Sequence, residues 1–291
     1  MQGILLAGGY GSRLGPVTKV VNKHLLPIFD KPMIYYPLTT LILAGVKEIL
    51  LVSTPKSIEQ FSSLLESGEE FGISIKYQIQ DKPSGIPDAF KITEHLMDNN
   101  KPCTLILGDN FFYGPTLGSQ LKSDFDNTAA ICHISQVNDP ENFGVVTIKN
   151  GTPNSIKEKP ENSASNLAVT GFYQFPQSVW ELSKTLTPSA RGETEITDLL
   201  HRYLKSQNLR CKELPRGTTW LDTGSTSGFL EASNFVSIIQ SRQNILVGSP
   251  HEAAWRVGNI TTIKFLETID RYIKSPYGKN LLNLVTNNAK D

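Results

Sequence analysis

The chain has 291 residues, 39% of them hydrophobic and 19% charged. This globular balance excludes a disordered tail or a fibre and suits one large α/β domain with an appendage. Lys plus Arg and Asp plus Glu stand at 28 each, so the net charge provides no footprint for nucleic-acid or membrane-surface binding. Three widely spaced cysteines, Cys103, Cys132 and Cys211, lack metal-ligand spacing and suit reduced thiols in a cytoplasmic protein.

Residues 3–7 are apolar, have no basic segment ahead of them and run straight into glycine. They predict a buried parallel strand and not a signal peptide, and no stretch is apolar for long enough to span a bilayer. Residues 32–44 carry apolar side chains at helical spacing up to Gly45, a natural cap. A strand at 48–53, a helix at 57–65 closed by Gly68, a strand at 74–79 and a helix at 87–97 follow. A strand at 103–107 then ends on Gly108-Asp109-Asn110. This alternation predicts βαβ units in a Rossmann-like α/β fold, with a mostly parallel sheet flanked by helices, over about the first 125 residues. Strands are next expected at 129–137, 144–149, 155–158 and 169–175, with Asn150-Gly151 as a hairpin turn. Helices are expected at 178–186 and 195–206, and the chain from 225 on is mainly helical.

The loop Leu6-Ala7-Gly8-Gly9-Tyr10-Gly11-Ser12-Arg13-Leu14 ends the first strand. Glycines there let backbone N–H groups approach an anion, and Arg13 adds a cationic fork matched to phosphate oxygens. The loop lacks the Gly-Lys-[Ser/Thr] ending of a Walker loop and the G-x-G-x-x-G of nicotinamide sites. Asp109, at the carboxyl end of a predicted parallel strand, lies where α/β sheets place ligands. Asp222, in Trp220-Leu221-Asp222-Thr223-Gly224, is a second isolated carboxylate, a residue type that also commonly caps turns.

That loop, followed by Pro16-Val17-Thr18 and Asn22-Lys23-His24-Leu25-Leu26-Pro27-Ile28, resembles the signature of sugar-nucleotide pyrophosphorylases. The continuation Asp30-Lys31-Pro32-Met33-Ile34-Tyr35-Tyr36-Pro37-Leu38 resembles their glucose-1-phosphate thymidylyltransferase branch, and the likeness extends through Glu231-Ala232-Ser233-Asn234-Phe235. The resemblance implies Mg²⁺-dependent in-line attack of glucose 1-phosphate on the α-phosphate of dTTP, giving dTDP-glucose and pyrophosphate. Arg13, Lys23 and Asp109 would be catalytic. Leu6, Gly8, Gly9, Gly11, Ser12, Gln80 and Gly85 would bind the nucleotide. Gly144, Glu158, Lys159, Thr170 and Arg191 would bind the sugar phosphate, and Asp109 and Asp222 would hold Mg²⁺. Pro160 would bias Lys159 toward extended backbone. The implied organisation is a nucleotidyltransferase core at 1–224, with a nucleotide-binding part (1–125) and a β-rich sugar-phosphate part (126–224). A C-terminal helical region at 225–291 would provide packing and subunit contacts in a dimer of dimers. No general base is needed, because a sugar 1-phosphate is nearly a dianion at neutral pH. The five histidines, which show no pairing in sequence, are assigned structural or surface roles.

At the base-binding loop this chain reads Gln80-Asp81-Lys82-Pro83-Ser84-Gly85-Ile86-Pro87-Asp88-Ala89, where relatives of that branch carry Leu, Ala and Gln at the positions of Ile86, Pro87 and Asp88. The same chemistry with UTP, or with an amino- or deoxy-sugar 1-phosphate, is therefore an alternative. A sugar-nucleotide-binding regulatory protein without turnover is a second.

Overall fold

A computed structural model describes residues 1–123, 127–190 and 192–288. The strands of the first half are β1 (Gln2–Ala7), β2 (Pro27–Ile28), β3 (Lys31–Pro32), β4 (Glu48–Ser53), β5 (Ser74–Ile79), β6 (Cys103–Leu107) and β7 (Asn110–Tyr113). They are followed by β8 (Ala130–Gln136), β9 (Gly144–Lys149), β10 (Thr152–Glu158), β11 (Leu167–Phe175), β12 (Leu209–Glu213) and β13 (Thr219–Asp222). The helices are α1 (Tyr35–Leu43), α2 (Ile58–Leu65), α3 (Asp88–Thr93), α4 (Leu117–Ser123), α5 (Val179–Lys184) and α6 (Ile196–Lys205). Four more close the chain: α7 (Thr226–Gln243), α8 (Pro250–Arg256), α9 (Thr262–Tyr272) and α10 (Pro276–Asn288).

Strands β6, β1, β4 and β5 pair in parallel, as their apolar runs predict. Neighbouring residues alternate between two covered faces: Leu5 and Ile106 pack with α1 and the C-terminal helices, while Ile4 and Leu105 pack with α3, α5 and α6. Burying each such side chain contributes roughly 1.5–3 kcal/mol. The later strands do not form a separate sheet. Strand β11 lies antiparallel to β6, β8 pairs with β11, and β12 pairs in parallel with β8, so one nine-stranded sheet runs through both segments. The Asn150-Gly151 turn between β9 and β10 has positive φ at both residues (52° and 76°), as a tight hairpin requires.

Several local expectations shift. The helix expected from residue 32 starts at Tyr35, because Lys31–Pro32 is paired against Pro27–Ile28. The stretch 87–97 is α3 followed by a 3₁₀ turn at Glu94–Leu96. Strands β2, β3, β7, β12 and β13 and helix α4 are not among the elements expected from the sequence. His251 is also paired: its Nδ1 lies 2.7 Å from the Tyr277 hydroxyl and its Nε2 3.1 Å from a Glu70 carboxylate oxygen. These contacts bind α8 to α10 and to the turn Glu69–Phe71. Among the described residues no helix is long and apolar enough to cross a membrane.

Candidate active site

The carboxyl ends of β1 and β6 face a split in the sheet. Strand β11 pairs with β9 through Leu167 and Ala168 and with β6 through Phe172–Phe175, and it leaves one for the other at Thr170-Gly171. Two adjoining cavities open there, of about 200 and 310 Å³, sharing Arg13, Ile86, Glu158, Lys159 and Ile196. A cleft at the carboxyl ends of parallel strands is where such sheets bind ligands.

Asp109 follows β6, and Asp222 ends β13. The β7–β13 ribbon pairs Asp222 with Asn110, the residue after Asp109. The Thr223 N–H and hydroxyl both donate to the Asp109 carbonyl, at 2.9 and 2.7 Å. As a result, Asp222 Oδ1, Asp109 Oδ2 and an Arg13 guanidinium nitrogen all lie within 3.2 Å of the point where a Cβ on Gly224 would sit. Lys23, itself buried, forms an ion pair with Asp109 Oδ2. Burial opposes the Asp109 charge, but the Lys23 ammonium, together with His24 and hydrogen bonds from Lys23 and Asn110, outweighs it and holds this carboxyl well below the usual range. Burial, then the charge of Asp109, pushes the Asp222 carboxyl up. Two carboxylates that raise one another's cost in this way suit a hard divalent cation such as Mg²⁺, which takes carboxylate, phosphate and water oxygens. Among the described residues no group of three or more His, Cys, Asp or Glu side chains could hold a metal, so further ligands would come from substrate and water. His24 lies beneath the pair. Burial, then the charge of Lys23, lowers its pKa to about 3, so it is neutral at physiological pH.

Asn110 was not singled out for a role in the sequence, yet its side chain connects three parts of the cleft. Its Oδ1 accepts from the Trp220 indole N–H (2.6 Å) and the Gly171 N–H (2.9 Å), while its Nδ2 donates to Asp109 Oδ1 (3.2 Å). A Cβ on Gly171 would fall 2.5 Å from the Asn110 amide carbon. The Gly-Asp-Asn triplet was the only sequence signal available for it.

Leu6, Gly8, Gly9, Arg13, Gln80 and Gly85 line the larger cavity. The loop does not open into an α-helix. Residues Ser12–Lys19 form 3₁₀ turns broken at Gly15, with Gly11 at φ 65° and Ser12 and Arg13 exposed. A helix macrodipole therefore adds little, and positive charge at this end comes from Arg13 and Lys23. Gly11 has its own constraint, since a Cβ there would meet the Thr18 methyl at 2.9 Å and Lys23 at 3.1 Å. Gln80 is buried with its Oε1 against Gly8, and its Nε2 has no hydrogen-bond partner among the described residues. Gly85, at φ 107°, bridges to Thr194, whose carbonyl oxygen would lie 2.0 Å from a Cβ there. Ile86 lines both cavities. Asp88 lines neither and occupies the first turn of α3, where its charge suits the helix dipole.

Gly144, Glu158, Lys159, Gly171 and Trp220 line the smaller cavity. Two expectations change here. Lys159 is not extended: its φ is 40°, with its N–H bonded to the Phe143 carbonyl at 3.0 Å. Pairing of Glu158 with Gly144 at the end of β10 overrides the pre-proline preference. Thr170 is fully buried, and its hydroxyl donates to the His133 carbonyl at 2.9 Å, so its neighbour Gly171 meets the cleft instead. Arg191 lies outside the described residues.

A sequence profile described as Nucleotidyl transferase matches residues 2–238. A glucose-1-phosphate thymidylyltransferase of Neisseria meningitidis is 45% identical over 98% of this chain and 99% of its own length. One from Mycolicibacterium smegmatis is 42% identical over 98% and 99%. Among solved structures, a Bacillus anthracis protein classed as a glucose-1-phosphate thymidylyltransferase, crystallised with sucrose, superposes with a TM-score of 0.75 at 39% identity, covering 81% of this chain and 94% of that one. A UDP-glucose pyrophosphorylase in complex with UDP-glucose superposes with a TM-score of 0.70 at 26% identity, covering 83% and 99%.

Proposed function

The chain belongs to the glucose-1-phosphate thymidylyltransferase branch of the nucleotidyl transferase family, and on that premise we propose that its cleft joins dTTP and α-D-glucose 1-phosphate into dTDP-glucose and pyrophosphate. A phosphate oxygen of the sugar 1-phosphate attacks the α-phosphorus in line, forming one P–O bond as the bond to the β-phosphate breaks. Positioning and charge neutralisation supply most of the rate.

The observation that carries this reading is the convergence of Asp109, Asp222 and Arg13 on one point at Gly224, beside the residues that line both cavities. The nucleotide takes the larger cavity, with its phosphates over Gly8, Gly9, Gly11 and Ser12. The unpartnered Nε2 of Gln80 donates to a base carbonyl, Gly85 keeps the base loop against Thr194, and Leu6 forms the floor. The sugar phosphate takes the smaller cavity: Glu158 accepts from its hydroxyls, Lys159 and Arg191 hold its phosphate, and Gly144 and the Thr170-Gly171 segment shape the wall. Asp109 and Asp222 would hold Mg²⁺, which when bound neutralises phosphate charge. Arg13 steadies the departing pyrophosphate. Lys23, paired with Asp109 before substrate arrives, stands ready to neutralise α-phosphate charge.

By the same reading, 1–125 binds nucleotide, 126–224 binds sugar phosphate, and 225–291 provides packing and subunit contacts in a cytoplasmic homo-oligomer. The deciding experiment measures pyrophosphate release with Mg²⁺, each nucleoside triphosphate and a panel of sugar 1-phosphates. The expected result is highest kcat/KM for dTTP with glucose 1-phosphate. Higher kcat/KM for UTP or for another sugar phosphate would replace these substrates, and ligand binding with no release from any pair would overturn turnover itself.

A further inference from the structure

Two of the three cysteines, far apart in sequence, meet on neighbouring strands. Cys211 on β12 is in register with Cys132 on β8, and their sulfurs lie 3.3 Å apart as free thiols. In-register side chains of paired strands share a face, and adjacent strands sit about 4.8 Å apart, within the roughly 4.4–6.8 Å Cα separation that a disulfide bridges. Burial divides the pair: Cys132 is fully buried, while Cys211, on a strand that among the described residues pairs with β8 alone, is half-buried. The remaining cysteine, Cys103, is buried on β6. We propose that Cys132 and Cys211 form a reversible oxidation site, closed to a disulfide by hydroperoxides and sensed at the sugar-phosphate cavity.

The chemistry balances with the peroxide as sole oxidant. Cys211, the accessible end, attacks the peroxide as thiolate, giving Cys211 sulfenic acid and one water. The Cys132 sulfur then attacks the Cys211 sulfur and expels a second water, so two thiols lose two electrons and two protons to one hydrogen peroxide. A thiol reductant reverses the step by exchange. Cys132 awaits this second step as a thiol, because its hydrogen bond to Cys211, then burial, pushes its ionisation well up.

The coupling to the cleft follows from the register. On its other side Cys132 faces Tyr173 of β11, a buried residue that lines the smaller cavity. Closing the sulfurs from 3.3 Å to the bonded distance of about 2.05 Å draws Cys132 away from Tyr173 in a close-packed interior, where so small a shift is transmitted. This coupling rests on the assignment of that cavity to the sugar phosphate.

The test is hydrogen peroxide treatment of the full chain, followed by alkylation, proteolysis and mass mapping, with steady-state kinetics on the same samples. We expect a Cys132–Cys211 crosslink reversed by dithiothreitol, with Cys103 still alkylated after unfolding. The KM for glucose 1-phosphate should rise roughly threefold to tenfold while the KM for dTTP stays within about twofold. Cys211→Ser should show neither effect, and Cys103→Ser should retain both. A Cys211 overoxidised to sulfinic acid beside an alkylatable Cys132 would overturn the site. A mapped crosslink with unchanged glucose 1-phosphate KM would overturn the coupling. Because the crosslink is mapped without turnover, a protein inactive on glucose 1-phosphate would refute the assigned substrate and leave the site standing.

Discussion

Asp222 stands directly across the β7–β13 ladder from Asn110, and this single cross-strand pair brings two carboxylates from distant parts of the chain to one edge of the cleft. The two chain segments carry different loads. Asp109 has its countercharge in Lys23, whereas at Asp222 burial and the like charge of Asp109 outweigh the Gly224 N–H, Arg13 and Lys23 and push the carboxyl up. Asn110 ties both to the wall of the smaller cavity through Trp220 and Gly171. A ligand entering this edge meets two carboxylates whose backbones are held side by side by strand pairing.

Asp222→Asn keeps the size of the side chain and its hydrogen bond from the Gly224 N–H (2.9 Å in the wild type) while removing the charge. If the two carboxylates share Mg²⁺, the half-saturating Mg²⁺ concentration should rise at least about tenfold, and turnover should fall on the order of a hundredfold. Pyrophosphate release measured across a Mg²⁺ titration reads both. An unaltered Mg²⁺ dependence would remove Asp222 from the metal and leave it as a turn residue. Asp109→Asn should cost at least as much in rate.

Lys23→Ala tests the ion pair on stability. Truncating one partner of a buried pair leaves the other charge uncompensated, which costs about 3–5 kcal/mol. The variant should therefore melt well below wild type in EDTA and recover part of the loss in millimolar Mg²⁺, the cation replacing the ammonium beside Asp109. Thermal denaturation with and without Mg²⁺ checks this. Equal melting of both proteins in EDTA would mean that the pair carries no load in the free protein.

Gln80→Ala removes a buried amide whose Nε2 has no hydrogen-bond partner among the described residues. A donor with a free hydrogen-bonding position gains one when ligand arrives, so the loss should fall on nucleotide binding. The KM for dTTP should rise about tenfold with kcat within about twofold. A fall in kcat at constant KM would place Gln80 in transition-state stabilisation instead.

Much of this site was legible before the structure, and what was not has a physical cause. The parallel strands announce themselves because burial on both faces demands unbroken apolar runs such as Ile4-Leu5-Leu6 and Leu50-Leu51-Val52. The ribbon that sets Asp222 beside Asp109 does not: Asn110–Tyr113 and Thr219–Asp222 are four residues each, and their pairing is long-range. Nothing local in either segment specifies its partner. Lys159 departs from its expected extended backbone for a related reason, since its left-handed φ is imposed by pairing at the end of β10 against the preference of its own dipeptide. Thr170 is expected at the sugar-phosphate site, yet alternation along β11 sends its side chain into the sheet and leaves Gly171 to the cleft.

The C-terminal helices are held to the core by a polar knot, and its pH dependence has a definite sign. Glu70 meets His251 of α8 and Arg271 of α9, each at 3.1 Å, and Lys264 lies nearby. Burial raises the Glu70 carboxyl, but the hydrogen bond and charge of His251, with the charges of Arg271 and Lys264, outweigh it and leave the group below its ordinary value of 4.5. A carboxyl depressed in the folded state binds its proton less readily there than in the unfolded chain. Its stabilisation is therefore fully present above the unfolded value and is lost as pH falls through the folded one. Glu70→Gln keeps the shape and removes the charge, so it should lower the melting temperature at pH 7. The gap from wild type should hold down to the ordinary carboxylate range and close below it. Melting curves of both proteins from pH 7 to pH 3 measure that gap directly, and a gap that widened on acidification would reverse the assigned sign.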